Sequence, residues 1–287
     1  MTGFVPNQLA RSLRSSKAKL VAAILPTLVG PVFQESIGEL HRTLEEHGFQ
    51  LLIAKSGYKS DDREHLIIDA LLQRRPDGIV HMGVVEVDSA RRLLMNSGIP
   101  VVEAWDLTPT PIDMLVGFSH EGIGEAVAHR LAEKYKRLAL ISANDNRARR
   151  RGASFCRTAS AMLGGSEVPC IWSEAPSTLA SGRSSMAQLI EQHPEVRAVF
   201  CSSDVLAIGA MIEAGARGFT VPQDIAIMGM GNQEFAASLD PPLTTVRIDG
   251  TRVGRTAAEL IIRRAGGEEV EERVIDIGFQ IIDRGSA

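Results

Sequence analysis

What most limits the possible folds of this chain is a rhythm that runs through it twice. From Leu20 onward, short apolar runs rich in Val, Ile and Leu alternate with amphipathic stretches, and Gly or Pro punctuates the joints. Leu20–25 reads as a strand, 32–47 as a helix, 50–54 as a strand and 61–75 as a helix. Strand 78–81, helix 89–97 and strand 100–103 continue the series. Strand and helix alternating this regularly build right-handed βαβ units around a parallel sheet covered on both faces. Pro109 and Pro111 break the rhythm before a strand at 114–118. A second series follows: helices near 119–134, 147–163, 179–192 and 205–214, and strands near 138–142, 168–172, 198–201 and 225–229.

The tail decides how the two series are joined. After Pro241-Pro242 come a strand at 243–246, a helix at 251–265 and short strands at 273–277 and 280–283. One helix and a few strands cannot form a third domain, so they must complete the two sheets already begun. The expected architecture is therefore α/β: two similar doubly wound parallel-sheet lobes joined by three crossovers. The first lobe is expected to take 18–117 plus 249–276, and the second 118–248 plus 277–287. Two such lobes place a ligand in the cleft between them, at the carboxyl ends of the strands.

Composition narrows the function. No apolar run approaches membrane-span length, and the N-terminal residues lack the apolar core of a secretory signal. Three cysteines without CxxC spacing read as thiols in a reducing compartment, so the chain is expected to be cytoplasmic, with neither metal nor cofactor. The loop after the first strand has neither GxGxxG nor GxxxxGK[ST]. Gly117-Phe118-Ser119-His120-Glu121-Gly122 misses the GxSxG elbow by one position, and His120-Glu121 lacks the second His of HExxH. These absences argue against an enzyme. The formal net charge is −4, which as a bare average speaks against nucleic acid. Yet residues 1–20 carry Arg11, Arg14, Lys17 and Lys19 and no acid, which leaves −8 on the remaining chain. A basic arm precedes an acidic globule.

That arm, residues 1–17, contains Pro6-Asn7 followed by Ala10-Arg11-Ser12-Leu13-Arg14, an N-cap-type start to two helical turns. Two turns are too short to be stable alone. The arm resembles the hinge helix of the lactose-repressor (LacI) family of transcriptional regulators, P-N-x-x-A-R-S-L. The resemblance continues in order through Asp77-Gly78-Ile79-Val80, Gly98-Ile99-Pro100-Val101-Val102, Ser203-Asp204-Val205-Leu206-Ala207-Ile208-Gly209-Ala210, Val221-Pro222-Gln223-Asp224-Ile225 and Leu239-Asp240-Pro241-Pro242-Leu243-Thr244-Thr245-Val246. It implies a periplasmic-binding-protein-like core that dimerises, with an effector between the lobes, and a helix-turn-helix head upstream of the hinge. It also implies that Asn7, Ala10, Arg11, Leu13 and Arg14 contact operator DNA, with Leu13 wedged between base steps and the arginines near phosphates. Helices 32–47 and 61–75 are the expected dimer surfaces.

The same resemblance points to the effector site. Arg147, Arg149, Arg150 and Arg151 open a helix, an arrangement that the helix dipole disfavours. Arg151 matches the family's ligand-facing arginine, and Arg147 is expected beside it. Ser203 stands where the family has a ligand-touching Asn, while Asp204 reads equally as a cleft residue or a helix cap. Gly231-Asn232 replaces an acidic pair common in the family, which suits an anionic effector. Glu103 and Trp105 sit at the cleft edge, Trp105 as a stacking platform or as core. Ser177 completes the expected effector-binding set. The stretch 103–106 with 111–119 resembles the gluconate-utilisation repressors of the family, which implies gluconate, a phosphogluconate or a related sugar acid. The reading that follows is a ligand-responsive repressor. Its rival is a periplasmic-type sugar-binding transport protein with the same lobes.

Overall fold

The computed structural model describes residues 18–28, 32–58 and 62–287. The basic arm, with Asn7, Ala10, Arg11, Leu13 and Arg14, lies outside the described residues. In chain order the elements are β1 (Leu20–Leu25), α1 (Gln34–Glu46), β2 (Gln50–Lys55), α2 (Asp62–Leu72), β3 (Gly78–Met82), α3 (Asp88–Ser97), β4 (Val101–Ala104) and β5 (Met114–Gly117). There follow α4 (His120–Ala132), β6 (Leu138–Ala143), α5 (Asn146–Met162), β7 (Cys170–Ser173), α6 (Leu179–Gln192), β8 (Ala198–Cys201), α7 (Asp204–Ala216) and β9 (Ala226–Met230). A 3-10 turn (Glu234–Ser238), β10 (Thr244–Arg247), α8 (Gly250–Ala265), β11 (Val274–Asp276) and β12 (Gln280–Ile282) complete the chain.

The chain divides into two compact units. One runs as far as Gly117 and takes back Gly250–Ile277; the other takes Phe118–Asp249 and Gly278–Ala287. The chain therefore passes from unit to unit three times. Each unit has a six-stranded sheet, and both sheets follow one plan. The orders are β2-β1-β3-β4-β5-β11 and β7-β6-β8-β9-β10-β12. All pairs in the first sheet are parallel. In the second, only β12 runs antiparallel, against β10.

Burial explains why the strands could be read as apolar runs. Val21-Ala22-Ala23-Ile24-Leu25 in β1 and all of β3, β4, β5 and β6 are buried, because helices cover both faces. The edge strand β2 alternates between partly buried and exposed positions. In the first unit, Ala22, Ile24 and Ile79 pack against Ile68, Leu71 and Leu94 from α2 and α3. In the second, Ile141, Val199 and Ile227 pack against Met186 and Leu189 of α6 and Leu206 and Ala210 of α7. On the opposite face, Phe155 of α5 meets Phe200 of β8 with ring centroids 5.3 Å apart. Full burial of such a ring stabilises by about 2–3 kcal/mol.

Several bounds depart from the expected elements. The strand expected from 168 begins at Cys170, since the residue before it is Pro169. The helix expected from Val205 begins at Asp204, and Ser203 caps it, its side-chain oxygen accepting from Leu206 N. The Glu234–Ser238 turn carries no periodic signal and was not expected.

Candidate functional site

In doubly wound sheets, ligands bind at the carboxyl ends of strands where the strand order reverses. In the second unit that switch point lies between β6 and β8. The loops leaving these two strands are tied together there. Ser202, just past β8, accepts at its Oγ from the backbone N–H of Ala143, the last residue of β6, at 3.0 Å.

Arg151 is anchored at the same place. It lies in the second turn of α5, is 5% exposed, and donates from Nη2 to the Ser202 carbonyl at 3.1 Å. Its Nη1 lies 2.8 Å from Nδ1 of His120, the first residue of α4. Arginine can only donate, so Nδ1 must accept and His120 carries its ring proton on Nε2. His120 is itself buried, edge-on to Phe118 with centroids 4.9 Å apart. The arrangement depends on Gly124 in α4: a Cβ there would fall 2.3 Å from the Arg151 carbonyl oxygen. Only glycine lets the two helices approach this closely.

The other cations of α5 fan outward, as the 100° step between successive residues requires. Arg149 is exposed and stands over the Trp172 ring at 5.5 Å, while Arg150 pairs with Glu121 at 3.7 Å. Arg147 is half-buried in the first turn. The unfavourable charge at this helix start is offset by Asp145, whose carboxylate caps α5 by accepting from Ala148 N at 3.0 Å.

Asp204 forms a second buried cluster two residues beyond Ser202. It is fully buried, accepts from Thr245 Oγ1 at 2.5 Å, and accepts from Gln233 N at 2.8 Å. Burial pushes its carboxyl up to about 6, against the pull of the Thr245 and Gln233 hydrogen bonds and the Arg284 charge. A Cβ on Gly229 would meet Asp204 Oδ1 at 2.3 Å, so β9 carries glycine there. Asn232 follows β9 at φ +50°, and its Oδ1 accepts from Arg284 Nη2 at 2.6 Å. Ser177 is half-buried in the β7–α6 connection, just before Thr178 caps α6.

Of the residues singled out by sequence, the structure brings Arg147, Arg151, Ser203, Asp204, Asn232 and Ser177 to the carboxyl-end loops of one sheet. Glu103 and Trp105 belong to the first unit. Glu103 is fully buried, and its two oxygens accept from Val85 N at 2.9 Å and Ile112 N at 2.8 Å. That geometry is a clamp on two loops rather than an open ligand contact. Trp105 packs edge-on against Phe33 at 5.2 Å and donates from Nε1 to Ser36 Oγ at 2.9 Å. Of the two readings left open for it, the ring is built as core. His120, Ser202, Thr245 and Gln233 were missed by sequence. The only available signal was position, His120 and Ser202 each lying within two residues of a helix start.

Among the described residues no group of three or more His, Cys, Asp or Glu side chains is placed to hold a metal ion, and no helix is long and apolar enough to cross a membrane. Residues 127–287 match the periplasmic binding protein-like domain family. The chain is 36% identical over 289 aligned residues to the HTH-type transcriptional regulator GntR of Pseudomonas aeruginosa, an alignment covering 99% of this chain and 83% of that protein. The chain belongs to the LacI family of transcriptional regulators. Solved LacI-family structures agree. One from Silicibacter pomeroyi superposes with a TM-score of 0.92 at 29% identity, covering 99% of this chain and 86% of that one. The transcription regulator GntR of Chromobacterium violaceum gives 0.87 at 30% identity, covering 93% and 98%. The transport-protein alternative is not favoured, because these relatives are transcriptional regulators.

Proposed function

We propose that this LacI-family member is an effector-responsive repressor, acting as a cytoplasmic homodimer on operator DNA, and that its effector is a sugar acid of the gluconate or phosphogluconate type. The observation that supports the effector class is the buried guanidinium of Arg151, held at the switch point by His120 and Ser202, with Arg147 one turn earlier on the same helix. A fixed, desolvated guanidinium favours a carboxylate or phosphate over a neutral hydroxyl. The replacement of the acidic pair by Gly231-Asn232, and the likeness to gluconate-utilisation repressors, support the same class. Arg151, Arg147, Ser203, Asn232 and Ser177 are the proposed effector contacts. Asp204 acts by holding the loops that carry such contacts, whereas Glu103 and Trp105 brace segments of the first unit. Effector occupancy then biases the dimer between DNA-bound and DNA-free forms, and DNA weakens effector binding by the same factor that effector weakens DNA binding.

Titration calorimetry with gluconate, 6-phosphogluconate, 2-ketogluconate and neutral hexoses tests this. Heat with a sugar acid and none with neutral hexoses is expected, and Arg151→Ala should weaken binding by roughly 100-fold, the worth of one buried charged hydrogen-bonding partner. Because Arg151 also supports His120 and the Ser202 carbonyl, Arg151→Lys, which keeps the charge but not the fork, separates folding from recognition. Binding of neutral hexoses alone would overturn the sugar-acid assignment.

A further inference from the structure

The sequence reads the three cysteines as buried thiols of a reducing compartment, but two of them are partly exposed and close neighbours in the fold. Cys156 lies on α5 and Cys170 opens β7. After α5 ends at Met162, the chain reverses through Gly164 and Gly165, both in the left-handed region at φ +71° and +84°. The reversal carries β7 back along the helix. The Sγ atoms, 14 residues apart in sequence, come to 3.0 Å of one another. Both cysteines are partly exposed, whereas Cys201 is fully buried in the core. A disulfide requires about 2.05 Å between sulfurs, so roughly 1 Å of further approach is needed. The strand that must follow is β7, an edge strand bonded, among the described residues, only to β6.

We propose that Cys156 and Cys170 are a redox-modification site, at which a peroxide converts the two thiols into a disulfide that ties α5 to β7. The Cys170 thiolate attacks one peroxide oxygen, the O–O bond breaks, and the departing hydroxide takes up a proton to leave as water. Cys170 is then a sulfenic acid. The sulfur of Cys156, giving up its proton, attacks the Cys170 sulfur; the S–O bond breaks and a second water leaves. Two thiols lose two electrons and one hydrogen peroxide becomes two waters. A dithiol reductant returns both thiols by exchange.

Cys170 is the first nucleophile because the Cys156 S–H donated to its sulfur lowers its pKa, while burial and Glu167 oppose; the same contact, with burial, raises Cys156. As a thiol, Cys170 instead donates to the Val168 carbonyl at 3.3 Å. The bond would close the segment from the last turns of α5 to β7, on the same helix that carries Arg147 and Arg151. This inference does not depend on which effector the protein binds.

The full chain is treated with hydrogen peroxide, then with dithiothreitol, and followed by thiol titration in denaturant, intact mass, peptide mapping and thermal unfolding. The expected result is a fall from three titratable thiols to one, a mass loss of about 2 Da from the two hydrogens removed, and a peptide joining Cys156 to Cys170. Dithiothreitol should restore all three thiols. The oxidised form should melt several degrees higher, as a new loop closure stabilises. Cys156→Ala and Cys170→Ala should each prevent the mass loss, whereas Cys201→Ala, if folded by circular dichroism, should not. Three thiols surviving peroxide would overturn the proposal, as would oxygen added to Cys156 and Cys170 separately or a disulfide joining two copies of the chain.

Discussion

A single carboxyl shows how much the surroundings of a residue control its chemistry. Asp204 stands at the start of a helix, where an acid is ordinarily solvated and low in pKa, yet here burial raises it to about 6. The unfolded chain titrates this group near 3.8, so between about pH 4 and pH 6 the folded state binds more protons than the unfolded one. Its contribution to stability is therefore greatest in acid. It is lost as pH rises through that window, by roughly 3 kcal/mol over some two pH units. Asp204→Asn removes the titration while keeping an acceptor oxygen for the Gln233 N–H, and its amide N–H2 can donate to Thr245 Oγ1 as the protonated carboxyl does. At pH 4 the variant should match the parent to within about 1 kcal/mol. By pH 7 it should be the more stable of the two, as read from urea unfolding across the range. A gap independent of pH would show that Asp204 is not the titrating group. The motif around Ser203-Asp204 could be recognised from sequence, but its partners could not. Thr245 and Gln233 are 41 and 29 residues away.

Among the elements, the contact of α4 with α5 sets where Arg151 stands. The sequence marks α4 and α5 by their apolar periodicity and marks the start of α5 by four arginines. It does not show that Gly124 lies against the Arg151 carbonyl, because that contact joins two helices across a β-strand of intervening chain. Gly124→Ala would place a methyl 2.3 Å from that oxygen and force the helices apart. Overpacking of this kind costs about 1–3 kcal/mol, a drop in Tm of roughly 2–12 °C for a unit of this size. Effector affinity should fall as well, since His120 and Arg151 ride on the two helices being separated. Unchanged affinity at reduced Tm would mean that the α4–α5 spacing does not position the arginine proposed to face the effector. At the same scale, the four arginines that open α5 look uniform in sequence and take four different environments in the fold. One stacks on Trp172, one pairs with Glu121, one is half-buried and one is fixed inside.

For the molecule as a whole, the two units share one sheet plan, and the chain returns to each of them near its end. The proposed repressor requires two copies, so sedimentation velocity of the full chain should give about twice the 31.0 kDa chain mass. A strict monomer at micromolar concentration would instead suit a solute-binding protein. Much of this scale was legible beforehand. Parallel strands covered on both faces are mostly apolar, so β1, β8 and β9 appear as unbroken runs, and a tail of one helix and short strands has no core of its own. The family motifs, in order along the chain, required no coordinates either. What the sequence determined by itself was thus the class of fold, the double lobe with its crossovers, and membership in the regulator family, because these rest on local periodicity and on linear motifs. Only the tertiary structure decided that Glu103 clamps loops, that Trp105 is core, that His120 holds Arg151, and that Cys156 faces Cys170. Each of these is a contact between residues 9 to 69 apart in sequence. No pattern along the chain encodes such a distance until the helices and strands have packed.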